Sequence, residues 1–201
     1  MVEEFFGLSV PFWLSQHFPE WNTFLTIYVS ALWGLTSFPN ESYPFNLQQE
    51  LTKISGGSTI AEIVDRLILK IECQKSQDSE CKYMKDQKFY AYSGHDLTEI
   101  GLFAALGFKN FPTENQLWPD LGSSIVLELW ESEEAVGTNT NSNTNNQFEY
   151  YYAKIYYYQN STVESPKNIG NLLPECHGKG CPISYLIKRA ELLRPKPDLK
   201  I

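Results

Sequence analysis

Apolar residues recur at helical spacing most clearly after Gly56-Gly57. Ile60, Ile63, Val64, Leu67, Ile68 and Ile71 line one face of a 3.6-residue period. The two glycines predict a turn, Ser58 a helix N-cap, and Ala61-Glu62 the start of the helix. Upstream, Trp21 to Leu35 is mostly apolar and aromatic, and predicts a buried helix ending at Gly34. "TSFPNESYPF" and "KSQDSECKYMKDQ" read as loops. The period then changes. "KFYAYS" is short, aromatic and β-prone, which predicts a strand over Lys88 to Ser93. Leu97 to Phe108 returns to a helix, with Ile100, Phe103, Ala104 and Leu106 as its apolar part. "SSIVLELW" and "FEYYYAKIYYYQN" predict the two strands of a hairpin, joined through the low-complexity "TNTNSNTNNQ". The tyrosines of the second strand suit the packing of a sheet face better than a sugar or base platform. "CPISYLIKRAELL" predicts a terminal helix, with Pro182 placed early, where its missing N–H costs least.

This order of helices, strand and hairpin indicates an α/β or α+β layer architecture. One central strand and one hairpin make a thin sheet for so many apolar helices. Part of the sheet is therefore expected from residues outside this chain. With 201 residues, the chain is one domain or a large piece of one. No repeat of solenoid period occurs.

Charge and cysteine usage narrow the function. A formal net charge of -8 without a basic patch argues against a nucleic-acid partner. The chain opens on "MVEEFF", acidic where a signal peptide needs basic residues, and its first apolar stretch is broken by Pro11. No run approaches the roughly 20 apolar residues that span a bilayer. Neither a secretion signal nor a membrane anchor is expected from the chain as written. The four cysteines form two local pairs without CxxC spacing, and only three histidines accompany them, so a zinc or redox centre is not expected. Cys176 and Cys181, in the Pro- and Gly-bounded "PECHGKGCP", read as a short-loop disulfide. Cys73 and Cys81 are left open between disulfide and free thiols. Asn40 and Asn160 begin glycosylation sequons. Together with a disulfide they point to a secretory or lysosomal setting, at odds with the acidic start.

The chemistry concentrates in "SGHDLTE". Asp96 with Glu99 three residues on has capping-box spacing, with His95 as an ordinary loop residue. A second reading uses position. The pair lies between the carboxyl end of a predicted strand and the amino end of a predicted helix, where ligands collect in α/β sheets and where helix N–H groups favour an anion. A histidine there can donate to phosphate oxygens. An aspartate there can protonate a departing alkoxide when its surroundings raise its pKa.

"FYAYSGHDLTEIGLFAALGF" resembles the His-Asp region of the histidine acid phosphatases, a branch of the histidine phosphatase superfamily. "LTKISGGSTIAEIVDRL" resembles the family's leucine–Gly-Gly–helix segment. "GSSIVLELWES" with "FEYYYAKIYYYQNST" is similar to its edge hairpin, and "LLPECHGKGCPISYLIKRAELLRP" to its closing disulfide loop and final helix. The resemblance implies an α/β fold, a three-layer sandwich of the phosphoglycerate-mutase-like type with a helical cap, incomplete in this chain. It implies a single partial domain over residues 1–201. Residues 1–72 would be mostly cap and core helices. Residues 84–201 would hold the His-Asp strand and helix, hairpin, disulfide loop and final helix. It also implies that Asp96 is the proton donor, that His95 contacts the phosphoryl group, and that Cys176 and Cys181 are paired. No metal or other cofactor is implied. The substrate would be a small-molecule or protein phosphomonoester, the location secreted or lysosomal, and a homodimer one form of assembly. The family's nucleophile lies in an Arg-His-Gly-x-Arg motif that this sequence does not contain. His17 and His177 have no such surroundings, and Arg66, Arg189 and Arg194 match no phosphate-clamping position. A catalytically inactive, phosphatase-like binding remnant is the alternative reading.

Overall fold

The computed structural model describes residues 6–36, 44–112, 118–132 and 147–196. A short helix α1 (Phe12–Gln16) leads into α2 (Phe18–Leu32), with Pro19 in its first turn. The predicted buried helix is largely uncovered here. Val29, Ser30 and Ala31 are buried, whereas Trp21, Phe24, Leu25, Ile27 and Tyr28 are exposed. The helix is apolar on more faces than the described core covers.

α3 (Leu47–Thr52) is capped by Asn46, whose side-chain oxygen accepts the Gln49 N–H at 3.0 Å. It continues through one wide turn, Lys53–Gly57, into α4 (Ser58–Lys75). The predicted break at Gly56-Gly57 is therefore absent, and Ser58 has helical dihedrals rather than a cap's. The glycines serve close packing instead. A Cβ on Gly56 would strike the Gly101 carbonyl, and one on Gly57 the Leu193 carbonyl. A Cβ on Gly101 would lie 2.6 Å from the Ser55 oxygen. Bare Cα atoms let these backbones meet.

A short helix α5 (Cys81–Asp86) stands where a polar loop was predicted. The Cys73–Cys81 disulfide ties it to α4. The Lys70 ammonium donates to the carbonyls of Met84, Lys85 and Gln87 at 2.7, 2.8 and 2.9 Å.

Lys88 to Ser93, the predicted strand, pairs with no strand among the described residues and lies exposed. β-propensity sets an extended backbone, but a ladder needs a neighbour about 4.8 Å away. Side chains hold the segment instead. Arg66 stacks over the Tyr90 ring, 3.5 Å from its centroid, and donates to the Tyr92 hydroxyl at 3.2 Å.

α6 (Asp96–Leu106) is the central element, with every residue from Ile100 to Leu106 buried. Gly107 ends it at φ 109°, in the left-handed region. Arg189 donates to the carbonyls of Ala105 and Ala104 at 2.8 and 2.9 Å, and the Tyr185 hydroxyl to that of Leu106 at 2.7 Å. A cation thus sits at the negative end of the helix.

The predicted hairpin is present. β1 (Ser124–Glu131) and β2 (Tyr151–Tyr158) pair antiparallel, from Ser124 opposite Tyr158 to Glu131 opposite Tyr151. Two short strands, β3 (Lys167–Asn168) and β4 (Cys181–Pro182), also pair with β2. Tyr151, Ala153, Ile155 and Tyr157 of β2 are buried, and the alternate residues are half-buried. The Tyr157 ring meets Phe103 edge-to-face at 5.3 Å. α7 (Ile183–Leu193) follows Pro182 directly and buries Ile183, Leu186, Ala190 and Leu193. The Cys176–Cys181 disulfide closes the loop before β4. Helices packed around α6 against one antiparallel sheet give an α/β architecture. No described helix is long and apolar enough to cross a membrane.

Candidate active site

The N-terminal turn of α6 carries the His-Asp pair. His95 is the N-cap, with extended dihedrals (φ -95°, ψ 168°), and its N–H donates to Thr98 Oγ1 at 3.2 Å. The predicted Asp96–Glu99 capping box is replaced, because Asp96 is already the first helical residue. Both oxygens of Asp96 are engaged. The Leu97 N–H donates to Oδ1 at 2.8 Å, and the Trp118 indole N–H to Oδ2. His95 and Asp96 are exposed at the positive end of the helix.

Glu99 turns the other way. The Ser123 hydroxyl donates to its Oε2 at 2.8 Å. Burial pushes the Glu99 carboxyl above the usual range; Ser123 opposes this and the charge of Asp96 adds to it. Tyr157 is buried close by, pushed up to about 12 by burial and then by the charge of Glu99. Its hydroxyl has no hydrogen-bond partner among the described residues, since the nearby Ser123 hydroxyl is directed at Glu99.

An open cavity of about 380 Å³ adjoins this turn, lined by Leu32, Trp33, Leu51, Ile54, Ser55, Leu97 and Thr98. Its walls are mostly apolar, and Ile54 is 84% exposed. The turn can therefore present one carboxyl, one imidazole and a helix terminus to an anion beside an apolar wall. Those groups suit proton transfer to an oxygen leaving group, and none of them supplies a second histidine.

The remaining sequence candidates lie elsewhere. His17 precedes α2, its Nδ1 4.0 Å from Glu20, and His177 is exposed in the disulfide loop. Arg66 binds Glu62 at 2.8 Å, Arg189 caps the far end of α6, and Arg194 meets Asp65 at 2.6 Å. Asn160 follows β2, and its side-chain oxygen accepts the Thr162 N–H and hydroxyl at 3.0 and 2.7 Å. Asn40 lies outside the described residues. Trp118 and Ser123 were not legible as site residues. Nothing in "LWPDLGSS" signals a bond to side chains more than 20 positions away.

Comparisons with known proteins bear on the family of the chain. The profile of the histidine phosphatase superfamily (branch 2) matches residues 12–157. The chain belongs to this family, and its α/β architecture is of the histidine phosphatase type. Among curated proteins, it is 28% identical over 151 residues to "Putative acid phosphatase 10" of Caenorhabditis elegans. It is 29% identical over 151 residues to "Putative acid phosphatase 11" of the same organism. Each match covers 75% of this chain and 33% of the relative. The chain thus spans about a third of the length of the curated relatives it matches. No solved structure matches it.

Proposed function

We propose that this chain carries the proton-donating part of an acid phosphatase site that hydrolyses phosphomonoesters. The observation that supports it most is the α6 turn, where an exposed imidazole and an oriented carboxyl share one helix N-terminus. In the reaction, a histidine nitrogen forms a bond to phosphorus as the P–O bond to the alcohol breaks. Asp96 gives its proton to the departing alkoxide, and His95 donates to a phosphoryl oxygen. Water then attacks phosphorus as the P–N bond breaks, releasing orthophosphate and the free histidine, and its proton returns to Asp96. The nucleophilic histidine belongs to a segment this sequence does not contain, since neither His17 nor His177 has the required arginine neighbours. The chain is then a partial phosphatase domain, and inactive alone. Two disulfides favour an oxidising compartment, so we place the protein in a secreted or lysosomal setting.

The test is a titration with inorganic phosphate, followed by NMR of the histidine side chains. The His95 resonances should move while those of His17 and His177 stay, and the response should vanish in His95→Ala. Equal movement of all three, or none, would count against a phosphoryl contact at His95.

A further inference from the structure

The segment from Trp118 to Ser123 is attached to the first turns of α6 at both ends. At one end the Trp118 indole N–H donates to Asp96 Oδ2. At the other, the Ser123 hydroxyl donates to Glu99 at 2.8 Å, and the Ser123 N–H closes a turn onto the Asp120 carbonyl at 3.0 Å. Gly122, at φ 75°, shapes that turn in a conformation other residues rarely adopt. Trp118 is half-buried and packs against the core, and Pro119 beside it is buried, which holds the indole in place. Asp96, by contrast, is exposed.

An exposed aspartate normally samples several χ1 rotamers. Here the Leu97 N–H takes one oxygen and the indole N–H the other, so both ends of the carboxyl group are fixed. A carboxylate offers about four lone-pair sites, and two remain for a proton or a ligand. We propose that Trp118 is a positioning residue for the proton donor Asp96, holding its carboxyl group in one orientation before a substrate arrives. This role rests on the phosphatase reading of Asp96, but the geometry stands apart from it. A misplacement of about 1 Å in a reacting group can cost on the order of 100-fold in rate.

The experiment separates the two. In the chain itself, labelled with ¹⁵N-tryptophan and ¹³C-aspartate, the Trp118 indole N–H should resist hydrogen exchange, and Asp96 should show the χ1 couplings of a single rotamer. Asp96→Ala should remove the indole protection. Trp118→Phe keeps the ring and deletes the donor, so Asp96 should become rotamer-averaged with little change in melting temperature. An indole indifferent to Asp96→Ala, or an Asp96 still in one rotamer in Trp118→Phe, would overturn the proposal. Both readouts are independent of phosphate, so a failed phosphate titration at His95 would refute the phosphatase reading alone. In a preparation that turns over, Trp118→Phe should lower kcat about 10-fold on an alkyl phosphate and much less on p-nitrophenyl phosphate, whose leaving group needs little protonation. Equal loss on both substrates would also overturn it. Adding Trp118→Phe to Asp96→Ala should then bring no further loss.

Discussion

Gly101→Ala tests the packing that sets α6, and with it the His-Asp turn. In an ordinary helix interior this substitution stabilises by about 1 kcal/mol, because alanine loses less backbone entropy. Here the new Cβ would lie 2.6 Å from the Ser55 oxygen and 2.9 Å from its carbonyl carbon. Ordinary contacts begin near 3.4 Å, and these are backbone atoms that cannot rotate aside. Relief requires α6 to move away from the wide turn at Lys53–Gly57, opening the Ile100–Phe103 core. Overpacking of this kind costs about 1–3 kcal/mol, and two backbone contacts this short put it at about 2–3 kcal/mol before the propensity gain is subtracted. The net expectation is a loss of about 1–2 kcal/mol. For a chain of this size that lowers Tm by roughly 2–8 °C. Thermal and urea melts followed by circular dichroism measure it. A Gly101→Ala protein as stable as the parent, or more stable, would refute the close approach of α6 to that turn.

Other substitutions probe the two ends of α6 and the surface. Arg189→Met removes two charge-assisted hydrogen bonds to the Ala104 and Ala105 carbonyls and should destabilise by about 2–4 kcal/mol in a urea melt. Folding shifts Glu99 toward its protonated form relative to the unfolded chain, because burial raises its pKa. Stability should therefore grow as pH falls from the raised folded value toward the ordinary carboxylate range, and Glu99→Gln should flatten that slope while stabilising the protein near neutral pH. Expression through a eukaryotic secretory pathway should place a glycan on Asn160, seen as a mass shift removed by glycosidase and absent in Asn160→Gln.

Much of the fold was legible because period and turn chemistry agree with it. α6, the hairpin and α7 follow directly from the apolar spacing of "IGLFAALGF", the β-rich "SIVLELW" and "YYAKIYYY", and the early Pro182. The errors came where tertiary contact overrides local preference. Gly56-Gly57 looks like a turn in sequence, yet the glycines lie within a continuing helix because Gly101 and Leu193 press against them. "KFYAYS" has strand composition, but pairing is a property of two segments, and the described residues offer no second one. α2 reads as buried from hydropathy alone, while much of its apolar surface faces outward. At the site, the resemblance singled out His95 and Asp96, but the cap fell on His95 rather than Asp96. Trp118 left no trace in the pattern, since its bond to Asp96 depends on how the segment before β1 returns to α6.

The most direct test is hydrolysis of p-nitrophenyl phosphate at acidic pH by the purified chain and by its Asp96→Ala variant. A chain that holds the proton donor and lacks the nucleophile should release no nitrophenol above the blank in either form. Sustained turnover by the parent chain would contradict the account, because a complete phosphatase site would then lie within these residues.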